Sequence, residues 1–320
     1  MRRGLLALIV CALTVAVAAA AATVPRVVLP RDHFGHRAGI EWWYVTGVLQ
    51  GSDGMRYSVF FTLFKRAGFV VPVSQVVNLD TGAVVGHTET VGRATIGGTA
   101  LNVTLPGARL RYAGGRWSFA ASTAGYALEL SASPRKPYVL HGATGYIRQS
   151  TAGLSAYYSN TRMAAVGSVT TSTGVVRLSG QAWLDHQWGN FASDPAALNW
   201  DWFSCRFDDR TELMLYRFRS PAGTPIARYR SGTFIRSNGT AVATPRFSVT
   251  PGQRVFEGAG RRWPLDWQLS LPAQNLELRL VSTVPDQLVR GTILPTFYEG
   301  VADATGSKTG TCFVEQSYAG

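Results

Sequence analysis

The sequence predicts an all-β protein built from two barrel-like antiparallel modules. Three observations carry this. After residue 22 the chain falls into alternating or β-branched runs closed by Gly, Asp, Asn or Pro, with little helical periodicity. The runs are short and closely spaced, the pattern of sandwiches and barrels rather than of helix-linked parallel sheets. Two hairpins also repeat one design. Glu41-Trp42-Trp43-Tyr44 opens one, and its return carries Tyr57, Phe60, Phe61 and Phe64. Trp200-Asp201-Trp202-Phe203 opens the other, and its return carries Leu213, Leu215, Tyr216 and Phe218.

The strands follow in order. Ile40 to Gln50 turns at Gly51-Ser52-Asp53-Gly54 and returns over Met55 to Lys65, a hairpin pattern. Further strands are predicted at Val71 to Leu79, Trp117 to Ala121, Tyr126 to Ala132, Val139 to Gln149 and Leu154 to Asn160. Met163 to Thr170 and Val175 to Trp183 form another pair around Thr171-Ser172-Thr173-Gly174. The second half adds Trp200 to Phe207, Thr211 to Arg219, Pro225 to Ile235, Phe247 to Thr250, Leu265 to Leu271, Leu276 to Ser282, Phe297 to Ala302 and Thr311 to Tyr318.

Residues 1–22 read as a signal peptide: Arg2 and Arg3, an apolar run from Leu5 to Val17, then small residues from Ala18 to Ala22. This predicts export to a periplasmic or extracellular compartment, with modules at 23–190 and 191–320. Cys11 would leave with the signal, so Cys205 and Cys312 remain. In an exported chain they either bridge or stay as two buried thiols. The net charge is +12, but the arginines are scattered, so no nucleic-acid footprint is present. A weak attraction to anionic envelope surfaces fits the charge better.

Gly180-Gln181-Ala182-Trp183-Leu184-Asp185-His186-Gln187-Trp188-Gly189 concentrates an acid, an imidazole and two indoles in one segment. A carboxyl against indoles is desolvated, which raises its pKa toward the range of a general acid. If the segment is a strand, Asp185 and His186 point to opposite faces. Tyr157 and Tyr158 face opposite ways on the same argument. Glu41, beside two tryptophans, is expected to be buried and paired, with Arg162 as the partner. Asp32, His33 and His36 lie close together, but a third strong ligand is missing nearby, so no metal site is predicted. No phosphate-binding glycine loop and no Gly-x-Ser-x-Gly element occur, and no cofactor is expected.

Four stretches carry a family resemblance. They are Asp32-His33-Phe34-Gly35-His36 with Glu41 to Gly47, Tyr157-Tyr158-Ser159-Asn160-Thr161-Arg162-Met163, Gly180 to Gly189, and Tyr298-Glu299-Gly300 with Gly310 to Tyr318. Together they resemble the lipocalin-like family that includes bacterial carotenoid 1,2-hydratase (hydroxyneurosporene synthase) and the AttH-like proteins. The resemblance spans nearly all of the chain after the leader. It implies two lipocalin-like barrels side by side and, in some members, hydratase or cyclase-type chemistry on apolar molecules. Other members have no known activity, so membership alone does not fix the reaction. Gln187 departs from the glutamate common in the family, and Cys312-Phe313-Val314-Glu315 departs from glycine-tyrosine-valine-glutamate.

The expected reaction is acid-catalysed addition of water to a carbon–carbon double bond of an apolar isoprenoid or lipid-like substrate. Asp185 would donate the proton. His141 or His186 would hold the water. Trp43, Tyr157, Trp183 and Trp188 would line the substrate site, with indole faces toward the developing cation. Two alternatives remain open at this point: an exported carrier of an apolar ligand, and a cyclase or isomerase using the same pocket.

Overall fold

The computed structural model describes residues 25–150, 153–190 and 199–318. The signal-peptide reading therefore lies outside the described residues. Apart from two 3-10 turns, Arg31–His33 and Pro272–Gln274, the regular structure is all β.

The first half carries β1 (Ile40–Gly51), β2 (Arg56–Arg66), β3 (Phe69–Asn78), β4 (Val84–Glu89), β5 (Gly92–Arg93), β6 (Leu101–Leu105) and β7 (Ala108–Ala113). It continues with β8 (Arg116–Thr123), β9 (Tyr126–Pro134), β10 (Val139–Leu140), β11 (Tyr146–Ser150), β12 (Gly153–Thr171) and β13 (Gly174–Gly189). The second half carries β14 (Asn199–Phe207), β15 (Glu212–Arg219), β16 (Pro225–Ile235), β17 (Ala241–Ala243), β18 (Ser248–Pro251) and β19 (Val255–Gly258). After these come β20 (Arg261–Pro264), β21 (Asp266–Leu271), β22 (Leu276–Ser282), β23 (Leu288–Val289), β24 (Phe297–Gly306) and β25 (Gly310–Ser317).

One antiparallel sheet runs β4-β3-β2-β1-β13-β12-β9-β8-β7-β6, and the other runs β17-β16-β15-β14-β25-β24-β22-β21-β18. Neither hydrogen-bonded path returns to its first strand among the described residues. The architecture is therefore two large antiparallel sheets, where the sequence predicted barrels. The repeat seen in the sequence has a structural counterpart. β1 sits between its hairpin partner β2 and the last strand of its sheet, β13; β14 sits likewise between β15 and β25. Cys205 lies opposite Cys312 in that second ladder and the two are bridged, so the bridge ties the closing strand to the opening one.

Because side chains alternate along a strand, each central strand serves two cores. Trp43, Trp117, Tyr158 and Trp188 pack within the first sheet. Phe203, Trp267 and the Cys205–Cys312 bridge pack within the second. A third cluster lies between the sheets, with Tyr44, Phe60, Tyr157 and Trp183 on one side and Trp202, Tyr216, Val301 and Phe313 on the other. Polar ties also span this junction. Lys136 and Arg162 hold Glu212 at 2.6 and 2.8 Å, and Glu89 accepts the backbone N–H groups of Ile293 and Leu294 at 2.9 and 2.8 Å.

Candidate active site

β13 runs unbroken to Gly189, paired with β1 and β12, so no turn intervenes at Asp185-His186. Alternation sends Trp183 and Asp185 into the junction between the sheets and His186 and Trp188 into the first core. Asp185 accepts three hydrogen bonds. Tyr157 Oη donates to Oδ2 at 2.7 Å, Trp183 Nε1 donates to Oδ1 at 2.6 Å, and Ser159 Oγ donates to Oδ1. Burial pushes this carboxyl up to about 6 against the pull of those three donors.

His141 stands behind Ser159. Its Nε2 is 2.7 Å from Ser159 Oγ and its Nδ1 is 2.8 Å from Thr233 Oγ1. Ser159 has one hydroxyl proton and gives it to Asp185, so His141 donates from Nε2 and accepts at Nδ1. Burial lowers the imidazole to about 3, which keeps it neutral. His141 is not in a strand, as the sequence suggested. Val139 to Gln149 breaks into β10 and β11 around a turn in which Gly142 has φ +65° and no room for a Cβ, 2.3 Å from Tyr146 O. Both ring nitrogens are engaged, and His141 is linked to Asp185 through Ser159.

The second sheet brings two more carboxyls to the same junction. Glu299 and Glu315 are direct cross-strand partners on β24 and β25. Tyr44 Oη donates to Glu299 Oε1 at 2.8 Å, and Trp200 Nε1 donates to Glu315 Oε1 at 2.8 Å. Burial raises Glu299 well above the usual glutamate value, with the charges of Glu315 and Asp185 adding to it. Burial raises Glu315 to about 7, and Asp185 adds to that rise. Trp202 Nε1 donates to Tyr157 Oη at 3.1 Å, which closes the network across the two sheets. Trp42, Phe64, Trp200, Phe218, Leu294 and Phe297 pack against the cluster between the sheets and are only partly buried.

The residues expected to line one pocket fall into two buried clusters on opposite faces of the sheet. Tyr157 and Trp183 stand with Asp185; Trp43 and Trp188 stand with His186 on the far face of the sheet. The two-residue period of the strands is the cause. His186 Nε2 is 3.0 Å from Glu41 Oε1, His36 Nδ1 is 2.7 Å from the same oxygen, and Lys65 Nζ is 2.7 Å from Oε2. Glu41 is thus buried and paired, but with Lys65 and two histidines. Arg162, its expected partner, binds Glu212 instead. His36, Glu41 and His186 bring ligand atoms within 4.8 Å of one another, a set the sequence did not assemble. The Lys65 ammonium already supplies the cation there.

A family model described as AttH-like matches residues 79–317. The chain belongs to the AttH-like family. No curated protein sequence matches it. Solved structures share the fold of this AttH-like chain at low identity. A Nitrosomonas europaea protein assigned to AttH is 22% identical over 92% of this chain and 98% of its own, with a TM-score of 0.83. Kievitone hydratase from Nectria haematococca is 22% identical over 93% of this chain and 94% of its own, with a TM-score of 0.79. The likeness extends to CghA bound to Sch210972, at 11% identity, 88% of each chain and a TM-score of 0.50.

Glu299, Glu315, Tyr44, Trp200, Trp202 and Ser159 of this AttH-like chain were not among the expected site residues. The duplicated hairpin was the available signal. In each half the opening strand carries an aromatic opposite a carboxyl of the closing strand: Tyr44 opposite Asp185, and Trp202 opposite Glu315. Extending Asp185's role through the repeat leads to Glu315, and the β24–β25 ladder then leads to Glu299.

Proposed function

We propose that this protein is a hydratase-like lyase that adds water, by acid catalysis, to a carbon–carbon double bond of an apolar small molecule bound between the two sheets. One observation carries the reading: Asp185, Glu299 and Glu315 converge on an aromatic junction where burial raises all of their pKa values. Glu299 and Glu315 are raised far enough to hold a proton near neutral pH, which is what protonation of an alkene demands. The faces of Trp183 and Trp202 favour the positive charge that follows. The fold shared with kievitone hydratase makes hydration the first chemistry to test. An isoprenoid substrate, as in the carotenoid 1,2-hydratase branch, is the finer version of the proposal. We further propose that the protein works after export. The leader-like residues 1–22 motivate this, and a bridged Cys205–Cys312 pair suits an oxidising compartment.

The test is incubation of purified protein with kievitone and with an acyclic carotenoid in isotopically labelled water. Expected is a product heavier by one water, with labelled oxygen. Unlabelled isomers would point to a cyclase or isomerase, and tight binding of unchanged probe to a carrier. Either result would reject the hydratase reading.

A further inference from the structure

Among the three carboxyls at the junction, the hydrogen bonds separate the roles. Asp185 is saturated: Tyr157, Ser159 and Trp183 all donate to it, and none of the three can accept a proton from it without breaking the arrangement. Such a setting suits a carboxylate. Glu299 differs. It is only 3% exposed, its Oε1 accepts from Tyr44, and its Oε2 is buried without a hydrogen-bond partner. An ionised oxygen left unpartnered in an apolar site is strongly disfavoured, so Oε2 is the natural seat of a proton. Glu315 lies directly across the ladder, partly exposed and held at one oxygen by Trp200. Two carboxyls side by side favour one proton between them.

We infer that Glu299 delivers the proton that starts the reaction and that Glu315 takes a proton from the attacking water. The assignment rests on the hydratase reading above, and it moves the donor from Asp185 to the second sheet. In the first step the O–H bond at Glu299 Oε2 breaks and a C–H bond forms with the alkene electron pair, leaving a carbocation and the Glu299 carboxylate. In the second step a water oxygen bonds to the cation while Glu315 accepts one of its protons. The product is the neutral alcohol. Transfer of that proton from Glu315 back to Glu299 restores the starting state, so atoms and charge balance without a cofactor. Asp185 stays ionised throughout and positions Tyr157, whose oxygen in turn receives the Trp202 indole N–H.

Infrared pH titration and turnover test this together. In Glu315→Gln protein, which removes the other titrating carboxyl of the pair, the carbonyl stretch of a protonated carboxyl should be present at pH 7, should vanish when Glu299→Gln is added, and should persist when Asp185→Asn is added. Glu299→Gln should cut hydration of kievitone or the acyclic carotenoid by about 10²–10⁴, with probe binding retained. Glu299→Asp, which keeps the acid but shortens its reach, should keep the band and lose rate at unchanged binding; it also serves if the Gln variant fails to fold. A band that disappears when Asp185→Asn is added but survives the addition of Glu299→Gln would overturn the assignment. So would a Glu299→Gln rate within tenfold of wild type. Both results leave the hydratase reading standing. Wild-type protein that hydrates neither probe would overturn that reading and this assignment with it, and the infrared result would still say which carboxyl is protonated.

Discussion

Tyr44 reaches across the sheet junction: its hydroxyl donates to Glu299 Oε1 at 2.8 Å, while on its own ladder Tyr44 lies opposite Asp185. One residue therefore ties the carboxyl of the second sheet to the strand pair that carries the carboxyl of the first. Tyr44→Phe keeps the ring packed against Trp202, 5.3 Å away, and removes only the donor. Glu299 Oε1 is then left without its partner. We expect a loss of about 1–3 kcal/mol in denaturant unfolding and a Glu299 carboxyl that holds its proton to still higher pH. Unchanged stability and an unchanged infrared titration would show that the bond has no energetic weight.

Glu315 gives stability a pH dependence of definite sign. Burial, joined by the charge of Asp185, raises its folded value from 4.5 to about 7. The folded state then holds the proton more tightly than the unfolded state. The stabilising contribution is complete below about pH 4.5 and is lost as pH rises through about 7. Glu315→Gln keeps an oxygen for Trp200 and removes the charge. It should leave the melting temperature nearly unchanged at pH 4.5 and raise it by roughly 2–8 °C at pH 8, for a gain of about 1–2 kcal/mol. Asp185 shifts in the same direction, so the wild-type slope should shrink in the variant without vanishing. An equal change at both pH values would contradict the linkage.

How far the sequence reached can be judged from single strands. The β1–β2 hairpin was legible because its alternation and its Gly51-Ser52-Asp53-Gly54 turn agree; the ladder pairs Ile40 with Arg66. The opposite facing of Asp185 and His186 was legible as a conditional, and the unbroken β13 meets the condition. β6 and β7 were missed although both alternate in burial, because arginine, threonine and asparagine on the outer face dilute the β-branched signal. β12 was read as two strands. A register shift between Asn160 and Met163 interrupts the alternation without ending the strand. Glu299 and Glu315 belong to the site through contact between two sheets, and no local pattern encodes which face of one sheet meets the other. The partner of Glu41, by contrast, was within reach of the sequence: Lys65 lies directly opposite Glu41 in the β1–β2 hairpin.

The Cys205–Cys312 bridge closes a sequence separation of 107 residues between neighbouring strands. In the chain-entropy account a loop of that length contributes about 4–5 kcal/mol. Cys205→Ala with Cys312→Ala should lower unfolding stability by roughly 2–5 kcal/mol. Reductant should lower the wild-type midpoint and leave the double variant untouched. Sensitivity of the double variant to reductant, or two free thiols in unfolded, unreduced protein, would refute the bridge.

A second buried charge cluster lies on the face of β13 away from the carboxyl junction. Glu41 has no side-chain exposure, and Lys65 at 2.7 Å is its cationic partner. Burial pushes the Glu41 carboxyl up, but hydrogen bonds from His186 and His36, with Lys65, outweigh it and hold the group well below the usual range. Its contribution to stability is therefore present above about pH 4.5 and is lost as pH falls. Burial also keeps His186 low, at about 4, so at neutral pH Lys65 is the group that balances the carboxylate. Lys65→Met preserves much of the stem and strands that charge, which should cost about 3–5 kcal/mol at pH 7. The deficit should narrow at pH 4, where the carboxyl of the variant is protonated. Adding Glu41→Gln removes the stranded charge and should recover part of the loss, so the double variant should be more stable than Lys65→Met alone. Urea unfolding of the four proteins at both pH values decides it. Strictly additive losses, with no narrowing at pH 4, would mean that Lys65 only packs against this cluster and that the histidines carry the pairing.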